Sequence, residues 1–332
     1  MRRIIGLILA ALLLTGCVRV PAQDASAFAP EEENRLVVCT SHKEKVYAPI
    51  IEEFEQRTGV WVEVRTGSTA VLLEQIAGGE SGCDLMFGGG SDSLGAYRAC
   101  FSPYVSENAA AIAPEFDLGE GDWTPFSLVP MVLVYNTKLV RQNFPTGWAD
   151  LLDPGWCGRI AFADPAASGS SYSALCTFLQ VCGGDTQQTL AAFYRNLDGQ
   201  IIPDSSEVIA AVADGSCYIG VTLEENARKA VADGLDVAIV YPEEGTCVLP
   251  DGAAVVRGCA HEENARAFLD FLLLSETQQR LSDELYRRSV RADAEDGSLP
   301  ALSAVPYDTG DAAAQRPELL AAWQALREGE TS

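Results

Sequence analysis

Four short stretches of the sequence carry small polar residues between a strand-like run and a helical pattern. They are Cys39-Thr40-Ser41-His42, Gly89-Gly90-Ser91-Asp92, Ser168-Gly169-Ser170-Ser171 and Asp204-Ser205-Ser206. A helix start exposes unpaired N–H groups and the positive end of the helix dipole, so it is a ready anion site. Serine hydroxyls add donors without fixed charge, and glycine lets a ligand approach the backbone. Any one of these turns is also what an ordinary helix cap requires. Ser41 with Glu44 fits the S-x-x-E capping box, and Asp204 with Glu207 is an acidic version of it. Four turns at the same topological position point to one shared pocket. The candidates they supply are Ser41, His42, Gly90, Ser91, Ser168, Gly169, Ser170, Ser171, Ser205 and Ser206, with Tyr172 opening the helix face that continues through Leu175, Cys176 and Leu179.

Glu224 and Glu225 follow the strand-like run Tyr218 to Leu223. They serve either as favourable acid at a helix start or as acceptors for the hydroxyl or ammonium donors of a ligand. Tyr241, at the end of the run from Asp236, joins the candidate list. Catalytic patterns are missing. His42-Lys43-Glu44 and His261-Glu262-Glu263 do not make H-E-x-x-H, no G-x-x-x-x-G-K-[ST] occurs, and no G-x-S-x-G occurs. No nucleophile stands beside a base in the sequence pattern, so neither covalent chemistry nor a cofactor is expected. A secreted hydrolase is the rival class.

The chain has 332 residues, room for roughly two domains. A hydrophobic fraction of 48% supports a sizeable core. The net charge of −24 repels nucleic acid and anionic membrane faces. Arg2 and Arg3 precede the apolar run Ile4 to Leu14, which is too short to span a bilayer. It ends in Leu14-Thr15-Gly16-Cys17, which resembles a bacterial lipobox. That resemblance implies removal of residues 1–16 as a signal peptide and lipidation of Cys17, with the net charge falling to −26 as two arginines leave. Acyl chains at Cys17 would hold the protein on the outer face of the bacterial cytoplasmic membrane, or in the periplasm. Residues 17–35 are polar, with Pro21, Pro30 and Glu31-Glu32-Glu33, and are expected to form a flexible tether. Of ten cysteines, nine lie beyond Cys17. Export permits disulfides, and no pair has C-x-x-C spacing. Cys176 and Cys182 are near enough in sequence to pair, while Cys176 fits a buried free thiol equally well.

From Leu36 onward strands alternate with helical patterns, the signature of an α/β fold with a largely parallel sheet. Pro49 lies inside the first helical pattern and predicts a kink or a delayed start. Ser127 to Tyr135 is a long apolar run able to cross between two α/β units, and the runs Asp236 to Tyr241 and Ala253 to Val256 could cross back. A short closing helix is predicted over Pro317 to Leu326. Two units joined by two crossovers imply a cleft at the carboxyl ends of the strands, closing by a hinge.

The stretches Thr40-Ser-His-Lys-Glu44, Phe54-Glu-Gln-Arg-Thr-Gly59, Cys83-Asp-Leu-Met-Phe-Gly-Gly-Gly90, Val134-Tyr-Asn-Thr-Lys138, Ile160-Ala-Phe-Ala-Asp-Pro-Ala-Ala-Ser-Gly-Ser170, Ala213-Asp-Gly215, Ile219-Gly-Val-Thr-Leu-Glu-Glu225 and Tyr286-Arg-Arg-Ser-Val-Arg291 together resemble a bacterial extracellular solute-binding protein of an ABC importer. The group is the one that includes ferric-ion, sugar-phosphate, aminoethylphosphonate and thiamine binders. The resemblance implies a two-lobed periplasmic-binding-protein fold of type II, with two crossover hinge strands and the ligand cleft between the lobes. Residues 36–128 and 250–332 are assigned to lobe 1 and residues 129–249 to lobe 2. It implies a monomer that captures a solute and delivers it to a membrane permease and its ATPase. Ferric members use a His near the first strand and a Tyr pair after the strand matched by Ile219 to Leu223. His42 fits the first position, but Glu224 and Glu225 stand where the Tyr pair would be. A ferric site would use His42, Glu224 and Glu225. The pattern Thr222-Leu223-Glu224 with the Ser-rich turns is more similar to members that bind phosphorylated sugars or phosphonates, with the turns on the phosphoryl group and Glu224 or Glu225 on the hydroxyl or amine end.

Overall fold

The computed structural model describes residues 30–116, 121–294 and 299–330. The expected leader, Cys17 and the tether up to residue 29 lie outside the described residues. Among the described residues, nine strands form one continuous sheet. They are β1 (Arg35–Thr40), β2 (Trp61–Thr66), β3 (Leu85–Gly90), β4 (Thr124–Asn136), β5 (Ile160–Ala163), β6 (Ile201–Ile202), β7 (Ile219–Leu223), β8 (Val237–Val240) and β9 (Val248–Val255). The order is β2-β1-β3-β9-β4-β7-β5-β6, with β8 pairing β4.

This order builds two lobes. β1, β2 and β3 pair in parallel, as do β5, β6 and β7. β4 and β9 run antiparallel between the two sets. β4 pairs with β9 over its first half and with β7 and β8 over its second. At 13 residues its span is about 43 Å, enough to leave one lobe and enter the other. Burial along nearly its whole length explains why it is an uninterrupted apolar run rather than an alternating one. The two crossovers are therefore β4 and β9.

Ten helices cover the sheet among the described residues: α1 (Glu44–Thr58), α2 (Thr69–Ala77), α3 (Ser91–Ala96), α4 (Gly169–Cys182), α5 (Thr186–Leu197), α6 (Val208–Ala213), α7 (Glu224–Ala232), α8 (Glu262–Leu272), α9 (Ser275–Leu285) and α10 (Thr309–Glu330). One core joins Leu36, Val38, Phe54, Leu85, Phe87, Phe126 and Phe268; a second joins Met131, Leu133, Trp148, Phe162, Phe178 and Phe193. α1 starts five residues before Pro49 and continues through it, so the proline does not delay the helix. Residues 309–330, grouped by sequence with lobe 1, lay their apolar stripe on the second core, where Trp323 is fully buried. α10 also comes within backbone contact of α3 in lobe 1. A disulfide joins Cys39 of β1 to Cys83, two residues before β3, with Cα atoms 5.9 Å apart. Cys176 and Cys182 are not bonded to each other; both lie on α4, six positions apart along one helix.

Candidate functional site

β1 ends at Thr40, whose Oγ1 accepts from the His42 N–H at 3.1 Å. This tight turn folds the His42 side chain inward, edge-on to Phe87 at 5.1 Å and Phe126 at 5.8 Å. The next turn meets it there. Gly88 and Gly89 have φ of +107° and +115°, and a Cβ on Gly88 would sit 2.8 Å from His42 Nε2 and 3.1 Å from Ser41 Oγ. Only glycine combines that backbone with that approach. The irregularity follows from the register: β3 slips between Phe87 and Gly90 where it pairs with β9, and Asp251 of β9 faces Gly90 on one side and Ser127 of β4 on the other.

Asp251 is the centre of the set. Its Oδ1 accepts from the Gly89 N–H at 2.9 Å. Its Oδ2 accepts from Arg287 Nη1 at 2.6 Å and lies 3.3 Å from His42 Nε2. Arg287 also donates to Ser127 Oγ at 3.0 Å, and its Nε lies 2.7 Å from Glu225 Oε2. Next to it, Arg288 grips both oxygens of Glu224 at 2.7 and 2.8 Å, and Tyr241 donates its hydroxyl to Glu224 Oε1 at 2.6 Å. The bidentate arginine fork is the strong form of this contact. The two arginines follow α9, whose last turn is closed by Tyr286 at φ +59°. The Leu128 N–H donating to the Arg288 carbonyl at 2.9 Å ties the segment to β4.

Arg287 Nε and Glu225 Oε2 form a buried ion pair at 2.7 Å, and His42 Nε2, 3.3 Å from Asp251 Oδ2, is a buried nitrogen with no hydrogen bond among the described residues. Burial pushes the His42 imidazole down to about 4, and the Arg287 guanidinium adds to that effect against the pull of Asp251. Burial and its bond to Glu224 hold the Tyr241 phenol up at about 12. His42 is thus neutral and Tyr241 a proton donor at neutral pH.

The His42 shift makes a testable acid lability. A folded imidazole ionising near 4, against 6.5 for the free group, binds fewer protons than the unfolded chain between those values. Stability from this group is then fully present above pH 6.5 and lost as pH falls towards 4, by about 3 kcal/mol. Urea unfolding from pH 7 to 4 is expected to show a steeper stability loss in the wild type than in His42→Gln, and equal slopes would contradict it.

The structure thus gathers Ser41, His42, Gly90, Glu224, Glu225 and Tyr241. Ser91 opens α3 after Gly90; its side chain lies outside the described residues. Asp204, beside Ser205 and Ser206, is close enough to Lys43 for that charge to lower its ionisation, after the effect of the Ser206 N–H. The Ser168–Tyr172 turn behaves differently. Ser168 caps α4 by accepting from Ser171 N–H, its Oγ is 3.0 Å from Ser170 Oγ, and Gly169 is the first residue of the helix. Ser171 and Tyr172 are buried. Tyr172 donates to the Ala312 carbonyl at 2.6 Å, which directs it to α10 rather than to the His42 cluster. Ser127, Asp251, Arg287 and Arg288 were not among the sequence candidates. The available signal was Asp251 inside an otherwise apolar run, and two adjacent arginines in a strongly acidic chain.

The geometry defines a class: a two-lobed α/β protein with a buried, charged cluster where the crossover strands change lobes. The comparisons agree. The chain belongs to the bacterial extracellular solute-binding protein family, whose model matches residues 81–312. It is 28% identical over 304 residues to iron uptake protein A1 of Synechocystis sp., covering 84% of this chain and 82% of that one. It is 22% identical over 259 residues to a putative 2-aminoethylphosphonate-binding periplasmic protein of Salmonella typhimurium, covering 74% of each. The solved periplasmic binding protein AfuA of Actinobacillus pleuropneumoniae, with fructose 6-phosphate bound, has the same fold, with a TM-score of 0.75, 22% identity, and coverage of 87% of this chain and 97% of that one. The protein is an extracytoplasmic solute-binding protein of the ABC-importer kind, with a small solute and a membrane permease as its partners.

Proposed function

We propose that this receptor captures a small phosphorylated or phosphonylated solute that also carries a hydroxyl or amine, such as a sugar phosphate or an aminophosphonate. The observation that carries the reading is the buried cluster in which His42, Asp251, Arg287 and Glu225 meet where β4 and β9 run between the lobes. Its guanidinium and imidazole are donors suited to a phosphoryl oxygen, and its carboxylates are acceptors suited to a hydroxyl or amine. A ferric set of His42, Glu224 and Glu225 has the name of the Synechocystis relative in its favour. Against it, both Glu224 oxygens are already held by Arg288 and Tyr241. Among the described residues, no three His, Cys, Asp or Glu side chains converge to hold a metal ion.

Binding proceeds without covalent change. Asp251 addresses His42 on Nε2, the nitrogen that a neighbouring serine nucleophile would need, and an imidazole ionising near 4 is a weak base at neutral pH. The solute is held while the lobes close about β4 and β9, then released to the permease and its ATPase. The protein acts as a monomer, and acyl chains on Cys17 keep it at the membrane.

A thermal-shift panel of hexose 6-phosphates, 2-aminoethylphosphonate, ferric citrate, thiamine and polyamines tests the reading. A ligand at one hundred times its Kd adds about 2.7 kcal/mol to the folded state, so a rise of several degrees is expected with a phosphoryl or phosphonyl compound. A large rise with ferric ion or thiamine, and none with any phosphorylated compound, would overturn it.

A further inference from the structure

Lobe 2 holds a cavity that the interlobe cluster does not use. It has a volume of about 610 Å³ and lies between α4, α5 and α10, within the size range of small-molecule sites. None of His42, Glu224, Glu225, Asp251, Arg287 or Arg288 lines it. Its presence follows from side-chain size along α10. Ala312, Gln315, Leu319 and Ala322 recur at helical spacing and form one wall. Trp323 fills the core beside them, whereas Ala312 and Gln315, two to three turns earlier, are too small or too polar to do the same. Leu179 of α4, Leu190 of α5 and Leu319 of α10 give the cavity an apolar surface.

Its charge is one-sided. Asp308, Asp311 and Glu318 line it, and no Lys or Arg does. Asp308 Oδ1 accepts from the Asp311 N–H at 2.9 Å, in the manner of a helix cap. Asp311 and Glu318 are exposed, and neither has an ion-pair partner among the described residues. They stand about 10 Å apart along the helix axis, and the carboxylates do not converge on a metal ion. Arg316, on the same helix, is stacked on the Tyr172 ring at 4.3 Å.

We propose that this cavity is a second binding site, separate from the interlobe cluster, for a small organic cation: an amine or quaternary ammonium on an apolar body. The leucine surface takes the body out of water, and Asp311 and Glu318 attract the cationic end. The same carboxylates repel an anionic solute of the kind proposed for the interlobe cluster, so the two sites take ligands of opposite charge.

Titration calorimetry on the full chain tests this with 4-phenylbutylamine and benzyltrimethylammonium, against 4-phenylbutyrate, which joins a phenyl ring and alkyl chain to the opposite charge. Each cation is expected to bind about tenfold more tightly than the carboxylate, the factor that two exposed ion pairs supply. The double variant Asp311→Asn with Glu318→Gln is expected to abolish that preference. Ala312→Leu is expected to weaken both cations about tenfold by filling the groove. Cys176 lines the cavity, and Cys157 is exposed outside it. Saturating 4-phenylbutylamine is therefore expected to slow N-ethylmaleimide alkylation of Cys176 severalfold and to leave Cys157 unchanged, as read by peptide mass mapping. Equal binding of cations and carboxylate, or no binding of either cation, overturns the proposal. Cation binding that leaves Cys176 unprotected places the site elsewhere and overturns it as well. The wild-type protection of Cys176 decides the matter if a variant does not fold.

Discussion

Replacing Arg288 with methionine is expected to cost about 3–5 kcal/mol of folding stability, although the substitution conserves much of the side-chain bulk. Glu224 is 1% exposed, and both of its oxygens depend on the Arg288 fork, with Tyr241 on only one of them. Removing the guanidinium strands a buried charge. The cost is that of the unpaired carboxylate, not the net worth of the pair, because charges taken from water lose hydration that their mutual attraction only roughly returns. The double variant Glu224→Met with Arg288→Met is therefore expected to recover most of the loss. Urea unfolding of the wild type, both single variants and the double variant gives the coupling directly. A single variant within about 1 kcal/mol of the wild type would show that water reaches Glu224. The same ion pair joins the start of α7 in lobe 2 to the segment that follows α9, so it also fixes where Glu225 stands relative to Arg287.

The parts of this site that were legible in the sequence are those with local signatures. Ser41 and His42 were marked by a strand, a turn and a capping pattern within a few residues, and Glu224 and Glu225 by their place between a strand and a helix. Of the two readings weighed for those acids, the helix start is realised, since they open α7, while their oxygens pair with arginines of the chain itself. The missed residues share a different property. Arg287 reaches Asp251 across 36 positions and Ser127 across 160, and Arg288 reaches Glu224 across 64. No spacing rule based on helix or strand period spans such distances. The two-lobed fold was readable because β4 had to be a long buried strand, and such a strand is a continuous apolar run. The role of the Ser168 turn was less readable, because a cap and a ligand contact need the same residues in the same order.

The closing helix shows the same limit, and it carries the last large expected effect. The sequence marks a helix start at Pro317, a residue favoured in a first turn, yet α10 begins eight residues earlier at Thr309. Tertiary contacts hold the extra turns: Tyr172 donates to the Ala312 carbonyl, and the Arg316 guanidinium stacks 4.3 Å from the Tyr172 ring. Trp323 then anchors the helix, 5.2 Å from Tyr194 and 6.2 Å from Phe162. Trp323→Ala is expected to destabilise the protein by about 3–5 kcal/mol, the lost transfer energy plus the cavity left behind. Trp323→Phe is expected to cost far less, under about 1.5 kcal/mol. The indole Nε1 is buried without a hydrogen-bond partner among the described residues, so phenylalanine removes an unpaired donor while keeping most of the ring packing. Chemical unfolding of both variants checks the pair. Equal losses would mean that the indole N–H is satisfied, and a small loss for the alanine variant would mean that α10 is not anchored through this residue. Because α10 reaches from the second core to α3, the alanine variant is also expected to loosen the contact between the lobes on that side of the cleft, which faster hydrogen exchange in α3 would report.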